Sequence, residues 1–110
     1  QDSFGFGGNW NITPENATTG KNATLSYHFF ANKVFLVIRP GGNTNPTIKV
    51  YVDNKLVDDS SGGADVKDGI ATVDTDRLYN LVDLKGKAGS HTLRLEFQSP
   101  GVQVFAFTFG

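Results

Sequence analysis

The residues able to do acid–base or nucleophilic work are few. The chain has two histidines, His28 and His91, two glutamates, Glu15 and Glu96, and no cysteine. A serine hydrolase needs Ser, His and Asp in mutual reach, with the nucleophile on a strained turn. No Gly-x-Ser-x-Gly occurs, and Ser90 next to His91 would point to the opposite face of a strand. Glycosidase chemistry needs two carboxylates placed across a bond, whereas the aspartates here gather in turn-rich stretches and read as solvated turn residues. Without cysteine there is neither thiol redox chemistry nor a thiolate metal site. The residues therefore point away from an enzyme.

Two other chemistries are open. The stretch "DDSSGGADVKDG" offers Asp58, Asp59, Asp65 and Asp68, oxygen ligands that suit a structural Ca²⁺, with Asp74 and Asp76 in reach along the chain. The spacing matches no EF-hand loop, and the same residues serve equally as solvated turn aspartates. No other cofactor is expected. Sugar recognition uses exposed aromatic faces with hydrogen-bonding neighbours. The candidates are Tyr51 beside Lys49, Tyr79 beside Arg77 and Asn80, and the sole tryptophan, Trp10. Each has a structural reading beside it: Trp10 as a sheet-edge anchor, and Tyr79 as packing within an "RLY" signature. The "GFGG" at residues 5–8 has the glycines of a phosphate loop but no helix after it, so its anion-binding argument fails.

The elements that must position these groups are strands. No window carries the i, i+3, i+4, i+7 apolar spacing of a helix, and period-two runs recur instead. "TLSYHFF" puts Leu25, Tyr27 and Phe29 on one face, and "TIKVYV" does the same with Ile48, Val50 and Val52. "VFLVIR" is nearly all apolar, the pattern of a strand covered on both faces. "HTLRLEF" and the terminal "VQVFAFTF" follow, and a short strand surrounds Trp10 and Ile12. His91 shares parity with Leu93, Leu95 and Phe97, which suits a hydrogen-bonded histidine at a core edge. "DTDRLYNLV" reads equally as a strand or a short helical turn with Leu78, Leu81 and Val82 inward. Asp53-Asn54 suits a type I′ hairpin turn and Ala31-Asn32-Lys33 a tight turn. Seven or eight strands at roughly twelve-residue spacing describe a β-sandwich or barrel. Residues 1–9 read as a flexible lead-in, and 10–110 as one domain. The closing phenylalanines, Phe105, Phe107 and Phe109, stand two apart and read as core on a central strand, with Ala106 and Thr108 beneath another layer.

Ten basic against eleven acidic residues give a net charge of −1, which excludes the basic stripe of a nucleic-acid binder and a polybasic membrane contact. No apolar run approaches the ~20 residues of a spanning helix. The start at Gln1, without methionine or signal peptide, reads as a processed product or an excerpt of a longer protein. Asn11, Asn16 and Asn22 each head an N-glycosylation sequon; in a bacterial protein these would be idle.

Taken together, "YHFFANKVFLVIRP", "IKVYVDNKLV", "GIATVDTDRLYNLV", "GSHTLRLEF" and "PGVQVFAFTFG" resemble one family, the C-terminal domain of DipZ-type thiol–disulfide interchange proteins. The resemblance covers roughly residues 10–110 and is most specific at Arg77-Leu78-Tyr79, Leu81-Val82 and the closing Phe105–Gly110. It implies a bacterial membrane protein related to cytochrome c biogenesis, with an exported thioredoxin-like domain ahead of this one. It also implies a jelly-roll β-sandwich of two antiparallel sheets, similar to galactose-binding and carbohydrate-binding modules. The departure is the missing Cys-x-x-Cys, which places any oxidoreductase activity outside this chain. The expectation is thus a monomeric, non-catalytic, extracytoplasmic module, periplasmic or envelope-associated. Its partners would be a carbohydrate and the thioredoxin-like domain of the same polypeptide, and it would neither bind nucleic acid nor span the membrane. The alternative is a structural or docking domain that positions the thioredoxin-like domain and binds no sugar.

Overall fold

A computed structural model describes residues 4–110, with Phe4 by its backbone. The described residues form twelve strands and no helix. In chain order they are β1 (Phe4–Gly7), β2 (Trp10–Ile12), β3 (Ala17–Thr19), β4 (Thr24–Ala31), β5 (Lys33–Arg39), β6 (Thr47–Val52), β7 (Lys55–Leu56), β8 (Val66–Lys67), β9 (Ile70–Thr72), β10 (Arg77–Asp83), β11 (Gly89–Phe97) and β12 (Gln103–Phe109). All pairings between them are antiparallel. One sheet has seven strands in the order β1-β4-β11-β6-β9-β8, with β7 also on β6; the other has five, β10-β5-β12-β3-β2. The fold is the expected jelly-roll sandwich.

Alternation builds the core. Leu25, Tyr27 and Phe29 of β4, Ile48 and Val50 of β6, and Leu93, Leu95 and Phe97 of β11 face inward from the seven-stranded sheet. Val34, Leu36 and Ile38 of β5, Tyr79 and Val82 of β10, and Val104 of β12 face them from the five-stranded sheet. Ala31-Asn32-Lys33 is a tight turn, but it joins strands of different sheets: β4 pairs β1 and β11, while β5 pairs β10 and β12. The Asn32 N–H donates to the carbonyl of Gly110, tying the corner to the chain end at 2.9 Å.

Several expectations are corrected. Residues 4–7 are not a lead-in but β1, in register with Thr24–Tyr27; residues 1–3 lie outside the described residues. Glycine suits this edge strand, because a side chain at Gly7 would run into Thr24. "DTDRLYNLV" becomes β10 from Arg77 onward, where it pairs with β5 around a bulge between Asn80 and Val82; residues 74–76 precede the strand, and Leu78 points outward at 45% exposure. The long acidic loop ends in β8 and the two-residue turn, Asp68-Gly69, of the hairpin β8–β9, with positive φ at both turn positions (53° and 79°). The Asp-Gly dipeptide is itself a strong signal for such a turn. Asp53-Asn54, with φ of 53° and 66°, is the matching turn between β6 and β7.

The closing strand is central, between β5 and β3, but its phenylalanines do not share a face. Val104 pairs Ile38, whereas the next partner of β5, Leu36, pairs Phe107, so Phe105 and Ala106 together oppose Val37. This bulge shifts the parity by one residue. Phe107 and Phe109 turn inward and stack on Tyr27, each with ring centroids 5.2 Å apart. Phe105 lies outward with the Arg39 guanidinium 4.8 Å above its ring. Ala106 and Thr108 are exposed rather than covered by a further layer, and Phe109, at the sandwich end, keeps 36% exposure.

Candidate functional site

The structure separates the residues chosen from sequence into three places. On β10, Tyr79 is fully buried, paired with Leu36 and turned into the core. Its hydroxyl accepts from the Thr75 N–H (3.1 Å) and shares its proton between Asp74 Oδ1 (2.9 Å) and the Thr75 carbonyl (2.6 Å). Arg77 closes the ring from outside, its guanidinium carbon 3.9 Å from the ring centre. The structural reading of "RLY" applies: no face of Tyr79 is left for a ligand. Burial pushes its phenol up, beyond what the Thr75 hydrogen bond offsets.

Asp65 joins this cluster from the acidic loop. One carboxylate oxygen accepts from Arg77 at 2.9 Å and the other from the Asn80 backbone N–H at 2.7 Å. Partial burial would raise its pKa, but the Arg77 hydrogen bond, the Asn80 N–H and the Arg77 charge together hold it below the usual carboxylate range. Asn80 lies beneath the loop against Gly63, where any side chain would strike the Asn80 carbonyl and amide oxygens. Arg77, Asn80 and Asp65 thus act as a clasp. Asp58 is turned to its own loop, accepting from the N–H and hydroxyl of Ser60. Asp58, Asp59 and Asp68 line one open pocket beside Leu56 and Val57 while Asp65 is held in the clasp, and among the described residues no three His, Asp or Glu side chains converge to hold a metal.

Trp10, on β2, serves as an edge anchor. Its indole N–H reaches the carbonyls of Gly7 (2.8 Å) and Thr24 (3.1 Å), and its ring stands edge-on to Phe6 and Phe97. It thereby ties one edge of the sandwich to the core. Beside this edge is a cavity of about 290 Å³ lined mostly by apolar groups, including Ile12, Pro14, Leu36 and Phe105. Its few polar side chains, Thr13, Glu15 and Asn16, all come from one loop.

Tyr51 and Lys49 lie on the third surface, the outer face of the seven-stranded sheet. Register places Phe30 opposite Ser90, His28 opposite Thr92, Ser26 opposite Arg94 and then Tyr51, and Thr24 opposite Glu96 and then Lys49. The inward neighbours of these residues are the core of the same strands, so alternation alone puts this row outside. Arg94 organises the middle of the face: it donates to Glu96 (3.3 Å) and to Asn54 Oδ1 (2.7 Å), and lies 4.2 Å over the Tyr51 ring. One face of Tyr51 is therefore occupied by a guanidinium. Phe30 is the open aromatic, 70% exposed. Beside it, His28 Nδ1 lies 3.4 Å from the Thr92 hydroxyl.

The sheet end is fixed by Asp53. It accepts from the Thr92 N–H at 2.9 Å and from His91 Nδ1 at 2.6 Å. Partial burial works against its ionised form, but the hydrogen bonds from His91 and Thr92 outweigh it and keep the carboxyl below its ordinary range. His91 is half-buried at the core edge, its ring 5.9 Å from Phe29. The Asp–His pair thus locks the β6–β7 turn to β11, and Ser90 points to the other face of the sheet. Sequence reading missed Phe30: alternation in "TLSYHFF" sets it opposite Phe29, but alternation alone does not say which face is left uncovered.

No curated protein matches the chain in sequence. Its backbone is similar to part of a family two carbohydrate esterase from Clostridium thermocellum in complex with cellohexaose, with a TM-score of 0.76 at 16% identity over 98% of this chain and 31% of that one. A family two carbohydrate esterase from Cellvibrio japonicus gives a TM-score of 0.72 at 16% identity, covering 96% of this chain and 30% of that one. At this identity the likeness is one of fold, and the chain spans about a third of the length of these enzymes. The family model of the thioredoxin-like C-terminal domain matches residues 1–110, and the chain belongs to that family.

Proposed function

We propose that this member of the thioredoxin-like C-terminal domain family is a non-catalytic, extracytoplasmic carbohydrate-binding module of a DipZ-like thiol–disulfide interchange protein. The observation that carries the reading is the outer face of the seven-stranded sheet, where the ring of Phe30, 70% exposed, stands beside the hydrogen-bonding groups of Ser90, His28 and Thr92. A pyranose offers an apolar C–H face to such a ring and hydroxyls to the polar row around it. Arg94, Lys49 and Glu96 extend the row across the neighbouring strands. The complex of a similarly folded enzyme with cellohexaose supports a β-1,4-glucan as the first ligand to try. Among the described residues the His91 ring is hydrogen-bonded to Asp53 and to no serine or threonine hydroxyl, and the absence of cysteine leaves disulfide exchange to another part of the polypeptide.

Covering one face of Phe30 would remove on the order of 50–80 Å² of apolar surface, or ~1–2 kcal/mol, about tenfold in affinity. An open face without walls binds weakly, with a dissociation constant of about 0.1–1 mM. The test is a glycan array followed by titration calorimetry with the best ligand, on the wild type and Phe30→Ala. The expected outcome is saturable binding weakened about tenfold by the substitution with the melting temperature unchanged. Absence of binding to any glycan, or equal binding by both proteins, would refute the reading.

A further inference from the structure

The sandwich opens to its core at one side. β3 pairs β12 only at Gln103 and Val104, whereas β5 accompanies β12 as far as Phe109. The bulge at Phe105 and Ala106 falls where the pairing with β3 stops. Bulges bend a strand and end its pairing in this way, often beside a site. The cavity of about 290 Å³ near Trp10 lies at this gap between the sheets. Its floor includes Leu25 of the seven-stranded sheet and Leu36 of the five-stranded one, both buried. Phe6 and Ile12, 46% and 58% exposed, stand at its mouth with the bulged pair. The cavity thus runs from solvent to the centre of the core.

The mouth carries a single charge. Its polar side is the turn at residues 13–16, where the Thr13 hydroxyl accepts from the N–H groups of Glu15 (3.3 Å) and Asn16 (3.2 Å) and donates to the Asn16 carbonyl. The Asn16 amide oxygen accepts from Thr18 at 3.4 Å. The turn is therefore fixed by its own hydrogen bonds, and the Glu15 carboxylate stays outside them. Glu15 is the only ionisable residue among those that line the cavity, and no described cation pairs with it. Arg39 stands on the ring of Phe105 at 4.8 Å, is neutralised by Asp76 at 3.2 Å and does not line the cavity. An apolar interior with a lone carboxylate at its rim complements an apolar body that ends in a cation. We propose that this cavity binds a small organic cation with an aromatic or branched aliphatic body, at a site separate from the Phe30 face. Its volume is at the small end of ligand pockets, which run ~300–1,000 Å³, and about twice that of an apolar cavity that holds one benzene ring. It suits a body of one ring or two fused rings.

The probes are three indoles of similar size: tryptamine, a cation; tryptophol, its neutral alcohol; and indole-3-acetate, an anion. Each is titrated into this chain at low ionic strength, where an exposed charge is least screened. The reporters are the methyl resonances of Ile12, Leu25 and Leu36. Tryptamine should shift all three saturably, with a dissociation constant of about 1 mM for a ligand of about a dozen non-hydrogen atoms. Tryptophol should bind about two- to fivefold more weakly, the size of an exposed charge pair, and indole-3-acetate more weakly still. Glu15→Gln should bring tryptamine to the level of tryptophol with the melting temperature unchanged. Ala106→Trp, at an exposed position of the mouth, should abolish binding of all three, and Ala17→Leu should do the same from within. No shift of Leu25 and Leu36 with any probe, equal binding of cation and anion, or full binding by both filled variants would overturn the proposal. Phe30→Ala should leave tryptamine binding within about twofold of wild type; a large loss would put the indole on the outer face of the seven-stranded sheet and overturn the proposal as well. A glycan array without binding refutes the sugar reading alone, because the two sites share no residue.

Discussion

Tyr79 decides between a binding and a structural account of the Arg77-Leu78-Tyr79 segment, and the two substitutions Tyr79→Phe and Tyr79→Ala separate them. The ring is fully buried, so its removal leaves a large cavity, and Phe/Trp→Ala changes in cores cost ~3–5 kcal/mol. The hydroxyl is a smaller contribution. It accepts from one N–H and donates its single proton to Asp74 or Thr75, both themselves exposed and able to turn to water. Two net hydrogen bonds at ~0.5–1.5 kcal/mol each, with partners that rehydrate, put Tyr79→Phe at about 1–2 kcal/mol. A domain of this size loses ~4–8 °C of melting temperature per kcal/mol, so Tyr79→Phe should fall about 4–16 °C and Tyr79→Ala about 12–40 °C. Thermal denaturation followed by circular dichroism and urea unfolding measure both. A Tyr79→Ala protein that melts within two or three degrees of wild type would sink the structural account, and loss of glycan binding at unchanged stability would move Tyr79 into the site.

Two further outcomes follow from the same packing. Asp65 is held below its ordinary pKa, so its contribution to stability is fully present above the unfolded carboxylate value of ~3.9 and is lost as pH falls through the lower folded value. The urea midpoint of the wild type should therefore drop below about pH 4, and Asp65→Asn should be less stable at neutral pH with a shallower acid limb; parallel limbs would remove Asp65 from the clasp. Within the closing strand, Phe107→Ala should cost about 2–3 kcal/mol, less than a fully buried phenylalanine, while Phe105→Ala should cost at most ~1 kcal/mol for its contact with Arg39. Equal losses in urea unfolding would mean that the bulge does not separate the two rings.

Much of the architecture is local and was legible from residues. Alternation placed Leu25, Tyr27 and Phe29 inward, and Asp53-Asn54 marked a hairpin, because side-chain parity and positive-φ tolerance act over two to four residues. The site was less legible. Of the six residues chosen from sequence for ligand contact, Tyr79 is core, Trp10 is an anchor, Arg77 and Asn80 hold a loop, and only Tyr51 and Lys49 share an open face. Proximity along the chain made Tyr79, Arg77 and Asn80 look like a group, whereas a site is assembled across strands that lie far apart in sequence.

What the amino-acid sequence determined alone was an all-β sandwich without thiol chemistry, since strand period, turn residues and composition are properties of short windows. Tertiary structure decided which of two alternating faces is covered. It did so for β5, whose apolar pattern asks for cover on both sides and receives it on one, and for Phe30, left open on a polar face. It also decided the closing phenylalanines: a single extra residue between Val104 and Phe107 reverses the parity of everything after it, and only pairing against β5 shows where that residue lies.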